Sequence, residues 1–289
     1  MISTIWAYRL ALNWYIVVCY WIFALLCLVM RIRFTWFGRL CSYSKSQCLY
    51  GKSNGDKLSA ACSISRRTAF KAFYFIGIIS TLFFIGVSNR SQLRTGSLIY
   101  EGMGSVPVAL LCYLFHVSRR FYECGFVHKF SNSRLSLFAF LAGASFYVFV
   151  PLTYSTCDSV TFGDLTIDWT RNWVCAQLIL FGLASVCQSV FHADLASLRH
   201  GTHEKKSPKY TAPPFQTVLF PHYSMEIGVY ILLSSFASDV ETIRIFSLPA
   251  FFTIANLSVT ASEQRKSYVF TSSRRRIELP KYNILPWIF

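Results

Sequence analysis

The sequence predicts an all-α, multi-pass membrane protein of about seven transmembrane helices, on three observations: a greasy composition, apolar runs of bilayer length, and an alternation of charge between loops. Of the 289 residues, 54% are hydrophobic and only 14% charged, with a mean hydropathy of +0.41, well above that of a soluble domain. A chain this apolar needs lipid as its solvent. Its runs are near the roughly 20 residues that a helix needs to cross a bilayer.

Seven segments fit that length in order: 7–30, 69–87, 97–117, 135–154, 173–191, 223–236 and 243–259, the second and sixth being short. The first run is too long for a cleavable leader and has no small-residue cleavage pattern, so it is expected to stay as the first span. The loop after the first span carries Arg31, Arg33, Arg39, Lys45, Lys52, Lys57, Arg66 and Arg67, whereas the next offers Arg90 and Arg94. Arg119, Arg120, Lys129 and Arg134 follow the third span, and Asp158, Asp164 and Asp168 follow the fourth. Arg199, Lys205, Lys206 and Lys209 come after the fifth, and Arg265, Lys266, Arg274, Arg275, Arg276 and Lys281 lie in the tail. By the positive-inside rule the basic loops and the carboxy terminus face the cytosol, and the amino terminus faces the lumen. The net charge of +15 then reflects topology rather than nucleic-acid binding. Anionic membrane lipids and a soluble anionic cofactor are better partners for it.

The ten cysteines are scattered without ligand spacing, so no metal site is expected. Only Cys157 and Cys175 lie toward the lumenal side, where a disulfide is chemically possible. Gly102 and Gly104 lack the strand, third glycine and helix of a dinucleotide-binding turn, so a nicotinamide cofactor would need a different kind of site.

Ionisable residues at helix ends in a membrane are expensive, so their positions are informative. His116, Arg119, Arg120 and Glu123 share one helix face at the end of the third span. Gln188, His192, Leu195 and Arg199 share another at the end of the fifth. His222 and Glu226 stand one turn apart after Pro221, a favourable helix-opening residue. Arg119, Lys129, Arg134 and the 274–276 cluster are read as side chains that snorkel to headgroups. Gln188, His192, His222 and Glu226 are not, because buried polar groups need partners. A cytosolic-side cavity lined by these residues suits an anionic ligand such as a nucleotide. The seventh helix is expected to leave the membrane on the same side through Asn256, Glu263, Gln264, Arg265 and Tyr268.

These stripes resemble a known family. Pro221-His222-Tyr223-Ser224-Met225-Glu226 before an apolar helix, and Gln188-x-x-x-His192-x-x-Leu195-x-x-Leu198-Arg199, are similar to the carboxy-terminal region of the steroid 5α-reductase family, above all its polyprenol reductase branch. His116-x-x-Arg119-Arg120-Phe121-Tyr122-Glu123-Cys124 is similar to that branch as well, as more weakly are Asn256 to Ala261 with Tyr268 and the closing Leu285-Pro286-Trp287-Ile288-Phe289. The resemblance runs from His116 to the end, and divides the chain into amino-terminal helices with a basic loop (1–100) and a reductase-like membrane domain (101–289). Where the family carries a histidine one turn before the tyrosine of its last segment, this chain has Gln264 and Arg265.

The resemblance implies a multi-pass reductase of the endoplasmic reticulum that uses NADPH and reduces the α-isoprene double bond of a polyprenol or polyprenal, supplying dolichol for protein glycosylation. It implies that Arg120, Gln188, His192, Arg199, His222, Glu226 and Tyr268 contact the cofactor. Hydride adds to an alkene only where the developing negative charge has somewhere to go, which favours the aldehyde, polyprenal, over the alcohol. Tyr223 and Glu123 are the candidates for the acid that hydrogen-bonds the carbonyl oxygen. The alternatives are a steroid or enoyl-thioester reductase of the same family, a seven-helix receptor or channel, and a catalytically silent scaffold.

Overall fold

A computed structural model of the chain describes residues 2–41, 63–93, 107–130, 134–156, 168–197, 218–273 and 280–284. In order they form α1 (Ile2–Arg33), α2 (Thr35–Cys41), β1 (Ser63–Ser65), α3 (Arg66–Leu93), α4 (Val108–Phe126), β2 (Arg134–Ser136), α5 (Leu137–Ser155), α6 (Asp168–Ser197), α7 (Pro221–Ser234) and α8 (Val240–Ser273). Five helices, α1, α3, α5, α6 and α8, contain a stretch long and apolar enough to cross a membrane. The chain is an all-α membrane protein in which the one sheet among the described residues is a two-stranded ribbon.

The third and sixth of the expected spans are not among the five. Helix α4 ends in His116, Arg119, Arg120 and Glu123, and residues 97–106 of that expected span lie outside the described ones. Helix α7 has 14 residues, which at about 1.5 Å per residue reach roughly 21 Å, short of a hydrocarbon layer of about 30 Å. Conversely, the second span, short in the sequence reading, is a 28-residue helix. The last helix runs for 34 residues and includes Glu263, Gln264, Arg265 and Tyr268 in its outer half.

Burial follows the membrane pattern. Phe23, Leu26 and Val29 on α1, Ile79 and Phe83 on α3, and Ile179, Leu183 and Val186 on α6 are exposed, while His116, Gln188, His192 and Glu123 are buried. Apolar surface faces outward at no penalty in lipid, so the interior is where polar groups find each other.

Local chemistry sets the helix ends. Ser65 Oγ accepts from Thr68 N at 3.1 Å at the start of α3, and Ser136 Oγ accepts from Ala139 N at 3.1 Å at the start of α5. Both caps belong to the antiparallel ribbon, in which Ser63, Ile64 and Ser65 face Ser136, Leu135 and Arg134. The ribbon sets the starts of α3 and α5 near each other, and the two helices run parallel, with Phe73 against Gly143 and Ser80 against Tyr147. They pack closely: a Cβ on Gly143 of α5 would lie 2.5 Å from the Phe73 ring of α3. Pro151 inside α5 has no N–H for the Tyr147 carbonyl one turn earlier, and Ser80 Oγ of α3 donates to that carbonyl at 2.8 Å instead.

At the opposite end, α7 turns into α8 through Phe236, and Gln177 Nε2 of α6 donates to the Ser235 carbonyl at 2.9 Å. Asp239 Oδ1 accepts from Thr242 N at 2.9 Å and caps α8. Residues 280–284 return beside the start of α7, with Leu219 N donating to the Tyr282 carbonyl at 2.9 Å and Phe220 N to that of Asn283 at 2.8 Å. Arg265 Nη1 fastens them through the Pro280 carbonyl at 3.0 Å and Asn283 Oδ1 at 3.1 Å. Of the two cysteines on the expected lumenal side, Cys157 lies outside the described residues and Cys175 is an exposed free thiol.

Candidate active site

The last turns of α4 carry His116, Arg119, Arg120 and Glu123 on one face, as the spacing predicts, and that face meets Gln188, Ser189 and His192 of α6 and Glu226 of α7. Arg120 is at the centre. Its Nη1 lies 2.5 Å from Glu123 Oε2, 2.7 Å from His192 Nδ1 and 3.1 Å from His128 Nε2. Its Nη2 donates to the Tyr74 hydroxyl of α3 at 2.9 Å, and the guanidinium carbon is 5.1 Å from the centre of that ring. Arg119 donates to Glu123 and to the Gln188 carbonyl oxygen, and to Ser189 Oγ at 2.9 Å.

Glu226 accepts from Gln188 Nε2, while its other carboxylate oxygen is 3.4 Å from His116 Nε2. Arg120 Nε is 3.9 Å from Glu226. The His222 ring stands 5.5 Å from His192 and 4.3 Å from Tyr223, on the side toward residues 218–220. Tyr223 Oη accepts from Gln264 Nε2 of α8 at 2.8 Å and its ring stacks 5.4 Å from Phe220, which in turn lies 6.1 Å from Tyr268.

Two adjoining patches thus hold the residues singled out from the sequence. Arg120, Glu123, Gln188, His192 and Glu226 converge in the first, Tyr223 and Tyr268 stand beside Phe220 in the second, and His222 bridges them. Arg199 lies outside the described residues. Arg119 corrects the sequence reading: it does not snorkel to the headgroups but is largely buried between Glu123, Gln188 and Ser189. A carboxylate one turn away on its own helix outcompetes the interface for the guanidinium.

Glu123 lies past the apolar end of the third expected span. Burial on its own would raise its carboxyl, but the His192 hydrogen bond and the charges of Arg120 and Arg119 outweigh that and hold it well below the usual carboxylate range. Glu123 is therefore ionised.

Glu123, His128 and His192 also offer three ligand atoms within 4.8 Å of one another, a spacing that could hold a metal ion. Arg120 Nη1 lies within 3.1 Å of all three atoms, so the guanidinium fills the place that a metal would take. For a nucleotide the fit is better. The cluster holds buried nitrogens that make no hydrogen bond, namely Arg119 Nε and Arg120 Nε, and an acceptor-rich anion would satisfy donors of this kind.

Sequence reasoning missed Tyr74, His128 and Ser189. Tyr74 lies in an aromatic run and His128 just past a helix end, so neither carries a local signal. Gln264 stands out in the sequence on the α8 exit and in place of the family's histidine, but its contact with Tyr223 depends on how two helices pack.

Known family models contain none that matches the chain. Individual proteins do match. The chain is 28% identical to a probable very-long-chain enoyl-CoA reductase of Caenorhabditis elegans, over 57% of this chain and 54% of the relative. It is 30% identical to polyprenal reductase 2 of Oryza sativa subsp. indica, over 62% of this chain and 58% of the relative. A polyprenal reductase of Caenorhabditis elegans is 25% identical over 84% of this chain and 87% of its own length. The chain spans a little over half the length of the first two relatives. The polyprenal reductases bear out the resemblance to the polyprenol reductase branch.

Proposed function

From this kinship with the polyprenal reductases, we propose that the chain is a nicotinamide-dependent oxidoreductase of the endoplasmic reticulum membrane that reduces the double bond next to the aldehyde of a polyprenal-type lipid, on the route to dolichol for protein glycosylation. The observation that carries this reading is the convergence of His116, Arg119, Arg120, Gln188, His192 and Glu226 from α4, α6 and α7 at one end of the bundle. Apolar helices alone do not call for it. A receptor or channel would instead string its polar groups across the whole membrane.

In this reading the basic loops and the carboxy terminus face the cytosol, α4 and α7 complete seven spans together with the five long helices, and NADPH is the cofactor. A reduced nicotinamide supplies the hydride. Arg120, Gln188, His192, Arg199, His222, Glu226 and Tyr268 hold the dinucleotide, with the unpaired arginine Nε atoms available to acceptor oxygens. Glu123 and Glu226 keep the two arginines and His116 in place. Of the two candidates for the acid, Tyr223 is the better, because an ionised Glu123 has no proton to give. The Tyr223 hydroxyl accepts from Gln264 Nε2 at 2.8 Å, and a phenol, unlike a carboxylate, is an O–H donor.

A second reading has its own support. The similarity to an enoyl-CoA reductase favours a thioester carbonyl in place of the aldehyde, with the same electronic logic. The test is NADPH binding to the detergent-solubilised chain, followed by turnover of polyprenal, polyprenol and a long-chain enoyl thioester. Saturable NADPH binding that Glu226→Ala weakens about ten-fold or more, with polyprenal turned over fastest, is the expected result. No NADPH binding would sink the oxidoreductase, and faster turnover of the thioester would move the substrate.

A further inference from the structure

The opening turns of α7 carry His222, Tyr223 and Glu226, so whatever sets the start of this helix sets three residues of the site. The helix does not set it alone. Its cap position is Phe220, whose side chain cannot accept an amide, and Pro221 follows. The residues just before the helix find their partners in a distant stretch of chain. Leu219 N donates to the Tyr282 carbonyl at 2.9 Å and Phe220 N to that of Asn283 at 2.8 Å, and Val218 forms a parallel bridge with Tyr282. Inside the first turn, Ser224 Oγ donates to the Ile284 carbonyl.

That stretch, 280–284, is tied down from its other side. Ile284 is buried against Leu219, Phe220, Ile227 and Ala261, with Tyr223 and Tyr268 packed around them. Arg265 Nη1 of α8 reaches both the Pro280 carbonyl at 3.0 Å and Asn283 Oδ1 at 3.1 Å. Its neighbour Gln264 donates to Tyr223 Oη at 2.8 Å. Two consecutive residues of α8 thus meet the start of α7 by different routes, Gln264 directly and Arg265 through the returning segment. Ordering a short irregular segment costs conformational entropy, and a charged donor on two of its acceptors offsets that cost.

We infer that Arg265 is a positioning residue of the candidate active site: through Asn283 it holds segment 280–284 in register against 218–220, and so fixes where His222, Tyr223 and Glu226 stand relative to Gln188 and His192. The inference rests on the reductase reading for what those residues hold, a reduced nicotinamide dinucleotide. It gives Arg265 and Asn283 a part that neither the loop charges nor the resemblance assigned. Arg265 counts in the sequence as a topological charge of the tail, yet its guanidinium bonds within the protein. A site that grips its ligand tolerates little displacement, because a shift of about 1 Å in a ligating group is enough to lose a hydrogen bond. Arg265 and Asn283 act through the start of α7, so their removal changes how tightly the ligand is held.

The test uses the full chain in detergent and begins with amide hydrogen exchange in the absence of ligand. Asn283→Leu, which keeps the side chain's size and removes the acceptor, and Arg265→Met are each expected to speed exchange at Leu219 and Phe220 about ten-fold or more. Exchange at Thr242, at the other end of α8, stays as in wild type. NADPH titration follows. Each variant weakens binding about ten-fold with the number of sites unchanged, and the double variant is no weaker than either single one. Asn283→Asp, which still accepts from Arg265, binds like wild type. Arg244→Gln, in an exposed pair with Glu241, changes neither readout. A merely structural role would lower the number of sites and leave the affinity of those remaining as it was. That result, unchanged exchange at Leu219 and Phe220, or additive losses in the double variant would each overturn the assignment. Wild-type chain that binds no NADPH would overturn the reductase reading itself, a failure told apart from the others because the exchange readout needs no ligand.

Discussion

Glu123 shows how one side chain can organise a buried cluster. Its two oxygens serve Arg119, Arg120, Ser189 and His192, so removing its charge leaves two guanidinium groups with too little compensation. Glu123→Gln is expected to lower stability at pH 7 by about 3–5 kcal/mol, measured by thermal melting in detergent. The pH dependence has a definite sign. A carboxyl held below its ordinary value contributes stability that is fully present above the unfolded pKa of about 4.3 and is lost as pH falls toward the folded one. The gap between wild type and Glu123→Gln should therefore be constant between pH 7 and pH 5, by the order of these values, and narrow on further acidification. A gap that widens in acid would mean that Glu123 is not the anion of the cluster.

The membrane shapes the elements by forbidding unpaired backbone. Pro151 would release the Tyr147 carbonyl into an apolar interior, and Ser80 of the neighbouring helix takes it up. Ser80→Ala is expected to destabilise the chain by about 1–3 kcal/mol, because the carbonyl is then left alone. In a Pro151→Ala background the Tyr147 carbonyl regains an N–H from its own helix, and the same Ser80→Ala change should have a much smaller effect. A double-mutant cycle of melting midpoints reads the coupling, and additive effects would show that Ser80 does not serve this carbonyl. Helix α7 is the converse case. It is too short to cross a bilayer by itself, yet it places Glu226 against His116 and Gln188 and Tyr230 against Tyr113, because α6 and α8 pack on it.

At the scale of the molecule, the first helix is tied to the last. Arg31 Nη2 and Nε donate to the two oxygens of Glu263 at 2.7 and 3.1 Å, and Nη1 reaches Asn256 Oδ1 at 3.4 Å. Arg31 is buried, although its place after the first span counts it as a topological loop charge. This fork joins α1 to α8, whose outer turns supply Gln264 to Tyr223 and Arg265 to the returning 280–284 segment. Arg31→Met or Glu263→Met alone should cost about 3–5 kcal/mol by stranding the partner, whereas the double substitution should recover most of it. Melting midpoints of the three variants test this, and a double variant no more stable than the singles would count against it.

The sequence by itself determined the class of protein. Apolar length and loop charge are one-dimensional quantities that the bilayer reads directly, so the membrane helices and the polar stripes on α4, α6 and α7 were legible from spacing alone. It also marked His192, His222 and Glu226 as residues that no lipid-facing position explains. Tertiary structure alone decided which groups pair. Arg119 turned inward because Glu123, Gln188 and Ser189 surround it, and Arg31 found Glu263 across 232 positions of chain. Tyr74 and His128 have no periodic signature, since their meaning depends on which side chains stand opposite. A hydropathy pattern fixes which face of a helix is apolar, but the partner of a buried polar atom is set by helix rotation and depth, which only packing determines.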